Sequence, residues 1–391
     1  MNLLATGGTG YVGSHMAEGR AVEESAPPVR APLRLLLIGP LPPPTGGALI
    51  LFQYLVDDLR LSGECSLRVV NISRPSGRNW LLFNAWVALR AALQTFVLGM
   101  DSDVISLHAN ERGRTQFGPI VYLISRILDK PLVVRAFGGA FDRQMETLGA
   151  LHRWILKKTY FRSEACLFET KHLMESFRSY GLRRSEWFPN YTRLPEGRPP
   201  TAPPASRSCR KLVFLARMER VKGVELLFEA EENLAPGVTV DLFGPPEGGY
   251  SVESLRGRGG GRVRYRGLLN DREVCERLWE YDALVLPTFH PGEGYPGAIL
   301  EAYAHGLPVI TTRWLSLPEI VDETCGILVE PGSMDDFVNA VNRLASDDSL
   351  YASLQAGSAA KAPGFSDRVR TRQFLDICRD VAGRHRAGAE D

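Results

Sequence analysis

Short apolar runs alternate with longer stretches of helical periodicity through most of this chain. The first group of runs has the length and the apolar content of buried strands, and it lies at Leu33–Ile38, Leu67–Ile72, Asp103–Leu107, Leu132–Arg135 and Ala165–Glu169. Alternating strands and helices are typical of parallel sheets covered by helices on both faces. The pattern predicts a doubly wound α/β domain over residues 32–190.

A second alternating region begins near residue 208. Lys211–Ala216 has a strand pattern, a basic loop follows, and a helix is expected from about Val224. The two regions are separated by TRLPEGRPPTAPPASR, which is too polar and too rich in proline for a strand or a helix. We therefore predict a linker over residues 191–207 and a second domain over residues 208–365.

The most informative stretch is GEGYPGAILEAYAHGLPVI, residues 292–310, which places Glu293 and Glu301 eight positions apart. A strand pattern precedes it, Pro296 suits a helix start and Gly306 suits a helix end. Loops of this kind lie at the carboxyl ends of strands, where α/β sheets bind ligands. Glu301 is then suited to a ribose diol and Glu293 to hydroxyls of a sugar, although two solvated surface glutamates are the plain alternative.

This segment resembles the E-x7-E signature of retaining glycosyltransferases of family 4, which have the GT-B fold. LPEIV at Leu317–Val321 and GILVEPG at Gly326–Gly332 follow in the order that is common in the family. The resemblance implies an α/β GT-B fold, in which two Rossmann-like domains face each other across a cleft. It further implies that a last helix, within residues 366–391, crosses back to the first domain.

The resemblance implies a hexosyltransferase-type enzyme that moves a sugar from a nucleotide diphosphate sugar to a carbohydrate or polyprenyl-linked acceptor, in cell-surface polysaccharide or glycolipid synthesis. The nucleotide sugar is a co-substrate, and no tightly bound cofactor is expected. Arg217 and Lys222 occupy the positions that hold the donor diphosphate in the family. Fixed cations or a metal must neutralise the departing diphosphate. No aspartate pair with metal spacing is evident, so we expect the cations to act and no metal to bind.

Glycine-rich turns complete the predicted donor site. In the family, the loop after the first strand faces the cleft, and glycines allow the backbone to approach a ligand. We assign donor contacts to the glycines of that loop and to the residues after Glu293, namely Gly46, Gly47, Gly294, Tyr295, Pro296 and Gly297.

Many family members carry a histidine near the sugar and the acceptor, where this chain has Phe137 before Gly138 and Gly139. His108 is the candidate for that polar role, with a structural hydrogen-bonding residue as the alternative. Three further candidates are Asn190, Phe289 and His290, for which a turn or packing role stays open.

Composition narrows the choice of function. The 391 residues are 44% hydrophobic with a net charge of +1, which fits two ordinary cores and gives no electrostatic argument for nucleic acid. Six cysteines without a C-x-x-C pair indicate neither a zinc site nor a disulfide framework. We therefore expect a cytoplasmic protein.

The amino terminus suggests a different enzyme. Thr6–Gly13 has a T-G-x-x-G-x-x-G pattern that resembles the NAD-binding start of nucleotide-sugar epimerases. Such a motif binds NAD only within a complete βαβ unit, and polar, proline-rich sequence follows instead. We interpret residues 1–31 as an appended or disordered segment, a fusion remnant or a misassigned start. An NAD-dependent epimerase and a catalytically silent sugar-binding protein remain the alternatives to a transferase.

Two segments raise the question of a membrane. Asn79–Met100 is strongly apolar but has Arg90 near its centre, which disfavours a spanning helix and leaves a buried or interfacial one. Leu151–Ser163 mixes Trp154, Ile155 and Phe161 with four basic residues, a pattern suited to anionic lipid. Ordinary helices of the first domain are the alternative to peripheral contact with the inner face of the membrane.

Overall fold

Two six-stranded sheets, each parallel throughout, organise the chain. The computed structural model describes residues 32–43, 46–73, 80–198, 208–258 and 260–390. The first sheet contains β1 (Leu33–Gly39), β2 (Cys65–Asn71), β3 (Val104–Ala109), β4 (Leu132–Ala136), β5 (Ala165–Phe168) and β6 (Ser185–Trp187). The second contains β7 (Lys211–Leu215), β8 (Thr239–Phe243), β9 (Val263–Gly267), β10 (Ala283–Leu286), β11 (Val309–Thr312) and β12 (Gly326–Val329).

The strand orders determine where a ligand site is expected. They are β2-β1-β3-β4-β5-β6 and β12-β11-β10-β7-β8-β9. The direction of winding reverses between β1 and β3 in the first sheet and between β7 and β10 in the second. Ligands of open α/β sheets bind beyond the carboxyl ends of the strands at such a switch point. The loops after β1, β3, β7 and β10 are therefore the expected site.

Helices cover both sheets. Those of the first half are α1 (Gly47–Ser62), α2 (Trp80–Gly99), α3 (Glu111–Ile127), α4 (Phe141–Thr147), α5 (Ala150–Lys158) and α6 (Lys171–Ser176). Those of the second half are α7 (Val224–Ala230), α8 (Val252–Arg256), α9 (Asp271–Arg277), α10 (Gly297–Ala304), α11 (Met334–Ser346), α12 (Asp348–Lys361) and α13 (Asp367–Glu390). Single turns of 3₁₀ helix occur at Tyr160–Arg162, Arg178–Tyr180, Arg220–Lys222, Glu231–Asn233, Leu278–Glu280, Leu317–Glu319 and Ala362–Phe365.

The last helix joins the core of the first half. Phe374 and Cys378 of α13 are fully buried in one cluster with Leu55 of α1 and Tyr191. Thr192 and Ser366 form a parallel bridge where the chain leaves the first half and where it returns to it. The helix that follows the second sheet thus packs on the first, and it links the two halves mechanically.

The two segments that suggested membrane contact form helices of the first half. The outer face of α2 exposes a stripe of large apolar side chains, namely Trp86, Leu89, Leu93 and Val97, and the exposed Met100 follows directly after the helix. In the second segment Trp154 is exposed on α5, whereas Phe161 is fully buried in the core. Phe161 therefore cannot take part in contact with lipid, whereas Trp154 can. Within the described residues, no helix is long and apolar enough to cross a bilayer.

Candidate functional site

A cleft of about 740 Å³ lies between the two sheets, at the carboxyl ends of their strands. It is lined by residues from all four loops at the switch points, including Gly47, Asn110, Lys222 and His290. The predicted site residues Arg217, Glu293, Gly294, Tyr295, Pro296, Gly297 and Glu301 also line it. The structure therefore brings nearly all of the candidates chosen from sequence into one cavity.

Lys222 and Glu293 form a buried ion pair in the wall of the second half. The Lys222 ammonium donates to both carboxylate oxygens of Glu293, at 2.9 Å and 2.7 Å. The side chains are only 11% and 7% exposed. The hydroxyl of Thr288 donates to the same carboxylate at 2.6 Å. An ammonium has three donor hydrogens, so one remains for another acceptor.

A glycine makes this pairing possible. Gly223 ends the 3₁₀ turn that carries Lys222 and has φ +87, in the left-handed region. A Cβ at this position would lie 2.4 Å from the carbonyl oxygen of Pro287, in the loop that follows β10. Only glycine allows the two loops to approach so closely. The loop after β7 and the loop after β10 are thereby held together, with Lys222 facing Glu293.

Arg217 lies nearer the solvent. Its guanidinium donates to Glu219 at 2.6 Å and to Glu247 at 2.9 Å, and its side chain is 44% exposed. Both of the cations predicted to hold a diphosphate therefore have carboxylate partners within the protein. Those partners place Arg217 at the edge of the cleft, whereas Lys222 lies in its interior.

Glu301 is the second carboxylate of the predicted pair, and its surroundings differ from those of Glu293. It lies in the second turn of α10 and, among the described residues, no side chain or backbone N–H donates to its carboxylate. Burial, with the nearby charge of Asp271, raises the pKa of Glu301 to about 7. Asp271 accepts from the hydroxyl of Tyr54 at 3.0 Å, and all three residues line the cleft. An unpaired carboxylate of this kind can accept hydrogen bonds from a diol.

Two helices begin at the cleft with unsatisfied N–H groups. Among the described residues, no side chain caps the first turn of α1, preceded by Gly46, or that of α10, preceded by Pro296. The first N–H groups of a helix and its positive dipole end attract anions. Gly47 and Gly297, the first residues of the two helices, both line the cavity. The cleft therefore offers two anion-binding helix ends beside Lys222.

Glu169 was not among the predicted site residues. It follows β5, it is 3% exposed, and burial raises the pKa of its carboxyl group. One oxygen accepts from Gly138 N at 2.8 Å and the other from Tyr295 N at 2.7 Å. The sequence carried no signal for this role, because Tyr295 belongs to the other half of the molecule.

The turn after β4 forms part of the other wall of the cleft. Phe137 and Gly138 line the cavity, and Gly139 contacts the glutamate loop. The side-chain amide of Asn190 donates to the carbonyl of Tyr295 at 2.9 Å. Asn190 therefore lies at the cleft with a hydrogen bond to the other half, which goes beyond a simple turn role.

His108 does not reach the cleft. Its ring is fully buried, with ring centroids 5.0 Å from Phe52 and 5.5 Å from Phe374. Its Nε2 is 3.0 Å from the hydroxyl of Ser106, and burial lowers the pKa of His108 well below its usual range. The hypothesis of a catalytic role is corrected accordingly, because a neutral imidazole inside the core cannot contact a substrate in the cleft.

The remaining candidates divide in the same way. His290 lines the cleft, and its Nδ1 accepts from Gly292 N at 3.0 Å, so that ring nitrogen carries no proton. Phe289 donates its backbone N–H to Val221 at 2.8 Å, and its ring is not among the described residues that line the cleft. Only His290 is therefore available to a ligand.

Possible metal ligands and cysteines in the described part of the chain relate to two of the expectations from sequence. No group of three or more histidine, cysteine, aspartate or glutamate side chains is arranged there to hold a metal ion. All six cysteines are free thiols, and Cys166, Cys209, Cys325 and Cys378 are buried. The NAD-like motif at Thr6–Gly13 lies outside the described residues.

The second half matches a known family. Residues 209–347 match the family model described as Glycosyl transferases group 1. The matched stretch includes Arg217, Lys222, Glu293 and Glu301. The finer assignment to family 4 stays a prediction.

Curated relatives resemble part of the chain. O-antigen chain mannosyltransferase B of Escherichia coli is 32% identical over 121 residues, which are 31% of this chain and 31% of that protein. The lipopolysaccharide core biosynthesis glycosyltransferase LpsE of Rhizobium meliloti is 29% identical over 174 residues, which are 42% of this chain and 48% of that protein. The chain thus spans less than half the length of these two relatives.

Solved structures resemble nearly all of the chain. The Anabaena protein HepE in complex with UDP has a TM-score of 0.66 at 16% identity and covers 89% of this chain and 100% of its own. Sucrose-phosphate synthase of Thermosynechococcus elongatus has a TM-score of 0.68 at 15% identity, with 89% and 99% covered. The chain has the GT-B fold. The predicted fold class is confirmed.

Proposed function

We propose that this protein is a retaining glycosyltransferase of hexosyltransferase type, which transfers a sugar from a nucleotide diphosphate sugar in cell-surface polysaccharide or glycolipid synthesis. The observation that carries the proposal is the convergence of Lys222, Glu301 and two uncapped helix ends in one cleft. The match to group 1 glycosyltransferases and the UDP bound by HepE support the donor class.

Each part of the donor has a suitable partner in the cleft. The carboxylate of Glu301 accepts hydrogen bonds from the ribose diol, because no other donor reaches it among the described residues. The N–H groups at the start of α10 and α1 and the remaining N–H of Lys222 bind the diphosphate. Arg217, at the edge of the cleft, adds a second cation. Glu293 lies between the phosphates and the sugar, where it accepts from sugar hydroxyls.

The paired state of Glu293 bears on the mechanism. Both of its oxygens already accept hydrogen bonds from Lys222 and one also from Thr288, so the charge of the carboxylate is stabilised. A carboxylate stabilised in this way is a poor nucleophile. We therefore favour attack of the acceptor on the same face that the diphosphate leaves, with a phosphate oxygen taking the proton of the acceptor hydroxyl. The protein then contributes orientation and stabilisation of charge.

The acceptor is a carbohydrate, and a polyprenyl-linked one fits the outer surface of the first half. The stripe on α2 adjoins α3, which exposes Leu123 and Ile127, and α3 packs against α5 with Trp154 exposed. Arg90, Lys157 and Lys158 are exposed beside these apolar side chains. Apolar side chains bordered by cations bind the surface of anionic membranes. We propose peripheral contact with the inner face of the membrane on this surface.

A screen of sugar nucleotides tests the donor proposal. Thermal shift and hydrolysis would be measured with UDP-, GDP-, ADP- and TDP-sugars at equal concentration. We expect one base to raise the melting temperature and its sugar to be released slowly, because water can replace the acceptor. Neither stabilisation nor hydrolysis with any of the four would contradict the proposed function and would favour a catalytically silent protein.

A further inference from the structure

Tyr295 lies in the loop of the second half but is held by side chains of the first half. Its N–H donates to Glu169 at 2.7 Å, and its carbonyl accepts from Asn190 at 2.9 Å. Tyr295 is 1% exposed, Glu169 3% and Asn190 8%, so water competes little for these bonds. Both backbone groups of one residue are therefore satisfied across the boundary between the halves.

Each of the two holding side chains is itself oriented. The second oxygen of Glu169 accepts from Gly138 N at 2.8 Å, which ties the carboxylate to the turn after β4. The amide oxygen of Asn190 faces the Arg135 guanidinium at 3.5 Å. Arg135 is 1% exposed and packs over the rings of Phe137 and Phe188. The positions of both acceptor and donor are thus set by the core of the first half.

A second carboxylate joins the halves in the opposite direction. Glu319, in the second half, accepts from Lys171 N at 2.7 Å and from His172 N at 3.0 Å, at the start of α6. The Tyr295 hydroxyl donates to the same carboxylate at 2.6 Å. The N–H and the carbonyl of Tyr295 thus bond directly to the first half, and its hydroxyl bonds to the Glu319 carboxylate that also reaches the first half.

Two glycines permit this close approach. A Cβ at Gly139 would lie 2.1 Å from the carbonyl oxygen of Glu293, and a Cβ at Gly294 would lie 2.0 Å from Glu169. Neither distance is sterically possible, so the turn after β4 and the glutamate loop meet only because both residues lack a side chain. The contact has no room for adjustment at these two points.

We propose that Glu169, together with Asn190, is a positioning residue that fixes the glutamate loop against the first half and so sets the place of Glu293 in the cleft. Glu293 is two residues from Tyr295, in a loop that Lys222 holds from the other side. The inference rests on the proposed function for its catalytic consequence but not for its structural one.

Hydrogen exchange of the loop amides, read by mass spectrometry, tests the structural claim without any substrate. Glu169→Gln keeps the shape but turns an NH₂ group toward one of two N–H donors. We expect exchange in a peptide spanning residues 292–297 to become about tenfold faster, because a buried N–H loses its acceptor. Glu164→Gln is the matched control, since Glu164 accepts from Leu132 N at 2.7 Å at the opposite end of β5. It should leave this peptide unchanged.

A second variant guards against a folding defect as the explanation. Gly139→Ala introduces a methyl group against the Glu293 carbonyl and should also accelerate exchange in the same peptide. Gly149→Ala adds the same group where nothing lies within 4 Å, and it should not. Unchanged exchange in Glu169→Gln and Gly139→Ala, or equal acceleration in their controls, would overturn the proposal.

Kinetics read the catalytic consequence separately. With the sugar nucleotide found by the screen, Glu169→Gln should lower kcat about a hundredfold with a smaller change in KM, as expected when a catalytic group is displaced by about 1 Å. Full kcat beside accelerated exchange would overturn the claim that Glu169 places Glu293 for catalysis. If the wild-type protein uses no sugar nucleotide but the loop exchanges faster in Glu169→Gln than in the wild type, the result would count against the proposed function alone.

Discussion

The two walls of the cleft both carry buried glutamates near glycines, but they stabilise them differently. In the wall of the second half, Glu293 has the charged partner Lys222 at 2.7 Å. In the wall of the first half, Glu169 accepts from two backbone N–H groups, and no ammonium of a described residue pairs with it. One wall is organised around charge and the other around backbone geometry. We infer that the second half stabilises the reacting groups, whereas the first half determines where they lie.

Removing the ammonium of Lys222 should have the largest effect. Lys222→Met keeps the aliphatic stem and should lower turnover about a hundredfold to a thousandfold, the size seen when one group that stabilises a developing charge is lost. It also leaves the buried Glu293 carboxylate without its charged partner, which should cost about 3–5 kcal/mol of stability. Turnover and melting temperature are to be measured on the same preparation.

A double variant separates these two effects. Lys222→Met with Glu293→Gln removes both charges, so the melting temperature should recover while turnover stays low. Lys361→Met is the control, because Lys361 pairs with Asp322 at 2.7 Å in the same half without lining the cleft. Near-normal turnover in Lys222→Met would refute the role assigned to this wall.

The second expected effect concerns Glu301 and pH. Its pKa of about 7 lies above the ordinary value of 4.5, and only the ionised form accepts from both ribose hydroxyls. Donor affinity should therefore be full well above pH 7 and fall as the pH drops through it, levelling off about tenfold lower once Glu301 is protonated. Glu301→Gln should weaken donor binding at pH 8 about tenfold and abolish this pH dependence.

Calorimetric titrations with the nucleotide between pH 5.5 and 8.5 would measure the donor affinity of the wild-type protein and of Glu301→Gln. Asp271→Asn removes the neighbouring charge and should move the fall in affinity to lower pH. A flat profile in the wild-type protein would show that Glu301 does not contact the donor as an anion.

The apolar surface of the first half should affect location more than chemistry. Leu89 and Leu93 are 60% and 58% exposed, so Leu89→Asp with Leu93→Asp should leave stability nearly unchanged. Binding to vesicles that contain anionic lipid should fall about tenfold or more, because two apolar contacts are replaced by repelled charges. Leu268→Asp, at a residue 63% exposed in the second half, is the control. Failure of the wild-type protein to sediment with such vesicles would contradict peripheral contact here.

The smallest effect is expected from removal of residues 1–31. Those residues carry the NAD-like motif, and the described residues that line the cleft begin at Gly47. Donor binding and turnover should be unchanged in the shortened protein. Loss of activity in the shortened protein, together with an increase in the activity of the full chain when NAD is added, would instead favour the epimerase alternative.

The sequence was sufficient for the local features of the second wall. Lys222, Glu293 and Glu301 lie within short motifs, and a strand, a turn and a helix start were enough to bring them to one edge of a sheet. The strand patterns predicted β1 and β7 within two residues at each end, whereas β6, β8 and β9 were not predicted. Each of these strands carries a charged residue inside it, namely Glu186, Asp241 and Arg264, so no continuous apolar run marks it in the sequence.

The first wall could not be predicted in the same way. Glu169 looks like any glutamate at a strand end until the second half supplies Tyr295, and the pairing of Tyr54 with Asp271 joins positions 217 residues apart. His108 shows the converse error, because a histidine at a strand end has the same pattern whether it faces a cleft or a core. Burial among Phe52 and Phe374 depends on the return of α13, which follows the second sheet.

The most direct test is calorimetric binding of UDP, GDP, ADP and TDP to the intact chain at pH 8. We expect one nucleotide to bind with a one-to-one stoichiometry, with affinity weakened about tenfold in Glu301→Gln and unchanged in Lys361→Met. Binding of none of the four, or equal binding in wild type and Glu301→Gln, would contradict the assignment of this cleft to a nucleotide sugar.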